Sequence, residues 1–121
     1  MLDVIRVTTT GSAGSATGTG ISELPFSGFV MGIKVDYDDS APATTTVVIT
    51  ENGGLGRTIL TLGAANTDAI YNPQFQIMDD DGVAQTLYSP FYISSQSLLV
   101  TIAGADALTN AVVVSTVILE A

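Results

Sequence analysis

The carboxylates are the side chains here best equipped for chemistry, and six of the twelve fall into two tight groups: Asp36, Asp38 and Asp39, and Asp79, Asp80 and Asp81. Clustered acids suggest calcium. An EF-hand loop, however, needs alternating ligands and a distal Glu, whereas Asp79, Asp80 and Asp81 are consecutive and run straight into Gly82, the pattern of a solvated turn. Both groups are therefore read as turns, with calcium as the alternative for either one or for the two together. With no His and no Cys, the chain has no imidazole base, thiol nucleophile, disulfide or zinc-thiolate site. A Ser nucleophile would need Lys34 as its base, and neither a nucleophile elbow nor a Ser-x-x-Lys motif is present. The glycines from Gly11 to Gly20 lack the Gly-Lys-Ser/Thr ending of a phosphate loop. The expectation is a non-enzyme with no catalytic residue, no metal and no cofactor. Recognition chemistry is left. Tyr71, Tyr88, Phe91 and Tyr92 cluster in the loop-rich middle and are candidates for a binding or subunit contact, with core packing as the alternative.

The elements that position these residues read as strands. Val, Ile and Thr supply 38 of the 121 residues, and β-branched side chains favour a pleated surface over a helix. Alternation is clearest from Phe29 to Tyr37, where Phe29, Met31, Ile33, Val35 and Tyr37 are expected to face the core. Thr45 to Glu51 resumes the pattern, and these two strands are expected to pair antiparallel. Residues 52–56 read as a glycine-rich hairpin loop leading into Arg57–Leu62. Further strands are expected at Gln74–Met78, Gln85–Tyr88, Ser97–Ala103 and Ala111–Glu120, with a turn at Ser94–Gln96. The last of these is apolar on both faces, so it is either central or at a subunit contact.

Residues 8–27 read as a mobile loop or arm, because their Gly, Ser and Thr side chains bury too little to offset ordering entropy. That leaves Leu2 to Val7 as a strand free to add to a sheet edge in the same or another subunit, with Leu2, Val4, Ile5 and Val7 as its contact residues. The expected organisation is a strand and arm over residues 1–27 and a β-sandwich over 28–121. The expected fold is a single all-β domain, an antiparallel β-sandwich or barrel of seven to eight strands.

Charge and composition bound the partners. A net charge of −9 with three cations repels a phosphate backbone, so nucleic acid is not expected. The apolar runs are far shorter than the roughly 20 residues of a spanning helix, so no membrane partner is expected either. The start lacks a signal-peptide pattern, which places synthesis in the cytoplasm by expectation. Charged residues make up only 12% of the chain, against about 25% in ordinary soluble domains, and mean hydropathy is +0.46. Some apolar surface is therefore expected to meet another subunit.

Several of these stretches together resemble the small β-rich virion proteins of tailed phages, head decoration or cement proteins among them. They are the Gly/Ser/Thr-rich start, Val35-Asp36-Tyr37, the Thr44–Glu51 strand before its glycine hairpin, Tyr71-Asn72-Pro73 and the turn Asp80-Asp81-Gly82-Val83-Ala84. The resemblance spans about Gly28 to Ala121. It implies a jelly-roll or related sandwich, a homotrimer, a place on the capsid exterior after synthesis in the host, and the major capsid protein as partner. It brings no catalytic residues. The competing expectation is a carbohydrate- or receptor-binding sandwich of a phage tail or fibre, using the aromatic cluster and nearby aspartates.

Overall fold

The computed structural model describes residues 1–120; Ala121, the last residue of the expected sandwich, lies outside the described residues. No helix occurs among them. Ten strands follow in order: β1 (Leu2–Val7), β2 (Ala16–Ile21), β3 (Phe26–Tyr37), β4 (Thr46–Asn52), β5 (Thr58–Leu62), β6 (Ala69–Tyr71), β7 (Gln74–Met78), β8 (Ala84–Pro90), β9 (Tyr92–Ala105) and β10 (Val112–Glu120). All pair antiparallel. One sheet runs β1-β10-β3-β6 and the other β2-β9-β4-β5, while β7 and β8 pair only with each other. Without the β7–β8 hairpin, the neighbours are first-eighth-third-sixth and second-seventh-fourth-fifth, which is the strand order of a jelly roll. The hairpin is an insertion before the seventh jelly-roll strand.

The inner faces form one apolar core. Ile5 and Val7 of β1, Val112, Val114 and Ile118 of β10, and Ile33 and Val35 of β3 meet Val47 and Ile49 of β4 and Leu98, Val100 and Ile102 of β9. Burial of this kind contributes about 25 cal/mol per Å² of apolar surface and is the main favourable term of the fold. The strand expected to be central or at a subunit contact is central: β10 lies between β1 and β3, with Val112, Val114 and Ile118 of its inner face buried and Val117 and Leu119 of its outer face exposed.

Both long strands change phase at bulges. On β3, Val117 pairs with Gly32 and Ile118 with Val30, which leaves Met31 as the extra residue. Val30 is consequently buried and Met31 exposed, so the expected inward face of Phe29–Tyr37 is corrected before Gly32 and holds from Ile33 onward. On β9, the step from Phe26↔Gln96 to Gly28↔Ile93 leaves an extra residue near Ser95, whose φ is 51°. The expected turn at Ser94–Gln96 is this bulge. Before it β9 pairs with β3, and after it with β2 and β4, so one strand joins the two sheets.

Two other expectations change. β3 and β4 do not pair: β10 and β6 occupy the edges of β3, and β4 sits between β9 and β5 in the opposite sheet. Residues 8–27, read as an arm, contain β2, paired along β9 from Ala16↔Ala105 to Ile21↔Leu99. The small side chains suit a close approach, because a Cβ on Gly18 would lie 2.5 Å from the Thr8 carbonyl oxygen, and one on Gly20 2.6 Å from Ile5 Cγ2. Leu2–Val7, the strand expected to add to a sheet edge in the same or another subunit, adds to its own, pairing with β10 over its full length.

Candidate functional site

The strongest candidate site grows from one charged residue on the inner face of β4. Alternation along that strand carries Val47, Ile49 and Glu51 inward, and the Glu51 side chain is only 2% exposed. A buried carboxylate needs a partner. The loop 52–56 supplies one by folding back through left-handed φ at Gly53, Gly54 and Gly56, which brings Arg57 opposite Glu51. The Glu51 backbone N–H donates to the Arg57 carbonyl at 3.0 Å, and the Arg57 backbone N–H donates to Glu51 Oε1 at 3.0 Å. The guanidinium donates from Nε to Oε1 at 2.6 Å and from Nη2 to Oε2 at 3.2 Å, a two-pronged pairing. Nη2 also donates to the Tyr92 carbonyl at 2.7 Å. The Arg57 hydrogen bond holds the Glu51 carboxyl below its ordinary range, against the upward push of burial.

Arg57 in turn lies against two rings. Its Cζ is 5.4 Å from the Phe91 centroid and 5.9 Å from that of Phe75, within cation–π range. The two rings are tilted against each other at 5.2 Å, which pins the inserted hairpin to the sandwich. Between hairpin and sandwich runs a cleft of about 560 Å³ lined by Arg57 and Thr58 from one side, Phe75, Gln76 and Met78 from the other, and Phe91. Its size is within the usual range of small-molecule sites, roughly 300–1,000 Å³. The Gln76 amide donates to the Gln85 carbonyl at 2.7 Å, which fixes the side chain and leaves its own carbonyl as an acceptor. An apolar floor with a polar rim results.

Of the residues singled out in the sequence, only Phe91 is among the described residues that line this cleft. Phe91, 7% exposed, belongs to the core, as the core-packing alternative expected, and forms the cleft floor; the Tyr92 backbone carbonyl accepts from Arg57 while its ring meets Phe29 edge-on at 5.1 Å. Tyr71 packs against the core from β6, and Tyr88 is exposed on β8. No ring contact joins any two of these four among the described residues, so they form no common platform. Of the β1 residues, Ile5 and Val7 are buried in the core and Leu2 is exposed opposite Val117. Val4 is half-buried opposite Ser115.

The Asp79, Asp80 and Asp81 carboxylates lie within 4.8 Å of one another and are exposed. Asp79 Oδ1 accepts the backbone N–H groups of Asp81 and Val83, each at 2.9 Å, so this side chain closes the hairpin turn. Asp36, Asp38 and Asp39 line a separate hollow of about 250 Å³ with Tyr37, Asn110 and Val113, and they do not join the other three.

Arg57, Thr58, Phe75, Gln76 and Met78 were not anticipated. A signal did exist: Glu51 occupies an inward position of an alternating strand in a chain with only three cations, which calls for a nearby arginine or lysine.

No family model matches the sequence, and a search of characterised proteins finds none similar to it. The resemblance to phage decoration proteins therefore has no support from these sequence comparisons. Solved structures similar in shape are β-rich. The crystal structure of FlhE covers 95% of this chain and 91% of its own at 16% identity and a TM-score of 0.43. The carbohydrate-binding module CBM35 from Cellvibrio japonicus Abf62 covers 97% and 93% at 13% identity and 0.41. TmCBM61, solved with β-1,4-galactotriose, covers 97% and 77% at 8% identity and 0.35. With every TM-score below 0.5, none of these likenesses carries a functional argument.

Proposed function

We propose that this protein is a carbohydrate-binding jelly-roll module whose site is the cleft between the β7–β8 hairpin and the start of β5. The observation that carries this reading is the lining itself. A sugar ring has a C–H face that packs on aromatic carbon and a rim of hydroxyls that needs fixed donors and acceptors. The half-buried Phe75, backed by the buried Phe91 ring, offers the first, and Arg57, Thr58 and the Gln76 carbonyl offer the second. Titration calorimetry against a panel of oligosaccharides tests it. Binding is expected to weaken at least about tenfold in Phe75→Ala and to persist in Tyr88→Ala, whose ring lies outside the cleft. A panel with no ligand, or one bound equally well by Phe75→Ala, overturns the reading.

A second reading, a structural virion protein that trimerises and binds the major capsid protein on the capsid exterior, is favoured by one observation. The outer side of the β1-β10-β3-β6 sheet exposes Leu2, Val117, Leu119 and Ile70 in a chain already poor in charge. Exposed apolar patches of this kind mark interaction sites. Light scattering on the purified chain tests it, with a trimer in favour and a monomer against.

A further inference from the structure

We propose that Glu51 sets the ligand class of the cleft: by cancelling the charge of Arg57, it makes the site select neutral hydroxylated sugars over carboxylated or sulfated ones. This inference rests on the carbohydrate-binding reading above.

Arginine in a sugar-sized cleft would ordinarily favour anions, since its fork matches a carboxylate or sulfate. Here the fork is already occupied. Nε and Nη2 face Glu51, and Nη2 also serves the Tyr92 carbonyl, which accounts for three of the five guanidinium N–H groups. Nη1 has no hydrogen-bond partner among the described residues, and the side chain is 32% exposed in a residue that lines the cleft. What remains is a pair of N–H donors without net charge behind them, because the Glu51 carboxylate lies 2.6 Å from Nε.

The surroundings add no positive charge. Among the described residues, Arg57 is the only cation lining the cleft. Arg6 and Lys34, the other two in the chain, lie in the opposite sheet, paired with Val113 and Ser115 respectively. At the hairpin end the lining residue Met78 is followed directly by the exposed acids Asp79, Asp80 and Asp81. An anionic ligand would lose water, meet no uncompensated cation and approach a molecule of net charge −9. A neutral sugar hydroxyl needs only the two Nη1 donors, the Thr58 hydroxyl and the Gln76 carbonyl.

Glu51 is thus a positioning and specificity-determining residue, acting through Arg57 without touching the ligand. The test compares a neutral oligosaccharide with its carboxylated and sulfated counterparts on the intact protein, by calorimetry at low and high ionic strength. The neutral sugar is expected to bind at least about tenfold more tightly, with little dependence on salt. In Glu51→Gln, which keeps an acceptor oxygen but releases the Arg57 charge, the preference is expected to move toward the anionic ligand and to become salt-sensitive. A merely structural role for Glu51 would weaken all ligands in proportion and leave the ratio unchanged, which overturns the proposal. Should that variant fail to fold, the wild-type ratio decides alone: an anionic ligand bound as tightly as the neutral one overturns it. If no sugar binds at all, the carbohydrate reading itself fails.

Discussion

Tyr37 is 4% exposed, and its hydroxyl has no hydrogen-bond partner among the described residues. A buried hydroxyl that loses water without gaining a partner is unfavourable, so Tyr37→Phe is expected to stabilise the fold by up to ~1 kcal/mol in urea denaturation at neutral pH. Burial, with Tyr71 and Asp68 nearby, raises the phenol above its ordinary value of 10.0. The unfolded chain therefore releases this proton at a lower pH than the folded one. Stability from this group falls as pH rises through 10, and Tyr37→Phe should lose less than wild type there. Glu51 runs the other way. Its carboxyl is lowered by the Arg57 hydrogen bond, so its contribution is complete above 4.5 and is lost as pH falls below that value. Urea midpoints measured down from neutral pH should drop more steeply for wild type than for Glu51→Gln. Equal slopes would mean that the ion pair adds nothing to acid stability.

Among the strands, β2 owes its place to what its glycines lack. Methyl groups at Gly18 and Gly20 would press on Thr8, Ile5 and Val7, so β2 can approach β1 only with hydrogen at those positions. Gly18→Ala is expected to cost about 1–3 kcal/mol in a thermal melt, whereas Thr19→Ala, on the exposed face, should stay within about 0.5 kcal/mol. A silent Gly18→Ala would show that the two strands separate at little cost. The same glycines made β2 hard to find from sequence. A strand of alternating Thr and Gly shows no apolar period, and its inward face is made of missing side chains rather than hydrophobic ones. β6 is three residues long and joins β3 through Ala69, Ile70 and Tyr71, too short for a pattern to register. The strands that could be read, such as β4 and β10, were those whose valines and isoleucines carry the core themselves. The bulges at Met31 and Ser95 follow from cross-strand register, which a single strand's alternation does not contain.

For the molecule as a whole, β1 and β2 each place one strand into a different sheet, alongside β10 and β9. Removing residues 1–21 would bare both neighbours and delete Ile5, Val7 and Ala16 from the core. Such a truncation is expected to abolish cooperative thermal unfolding; a retained sharp transition would mean that the rest of the sandwich folds without them. The all-β class was within reach of the sequence because patterned strands and turn residues dominate it; the strand order was not, since β2 and β6 carry no apolar pattern and β3 and β4 lie in opposite sheets. The site was not, because it lies between two segments far apart in the chain, Arg57–Thr58 and Phe75–Met78, brought together only by the insertion. That insertion is bounded by Pro73 and Pro90, bonds only to itself within its ladder, and contributes no strand to either sheet. It can therefore be exchanged as a cassette. Mutations at its exposed positions, such as Gln76 and Met78, are free to rewrite one wall of the cleft while Phe75 keeps the hairpin seated on the core, which makes this loop the place where new specificities would arise, by natural divergence or by grafting.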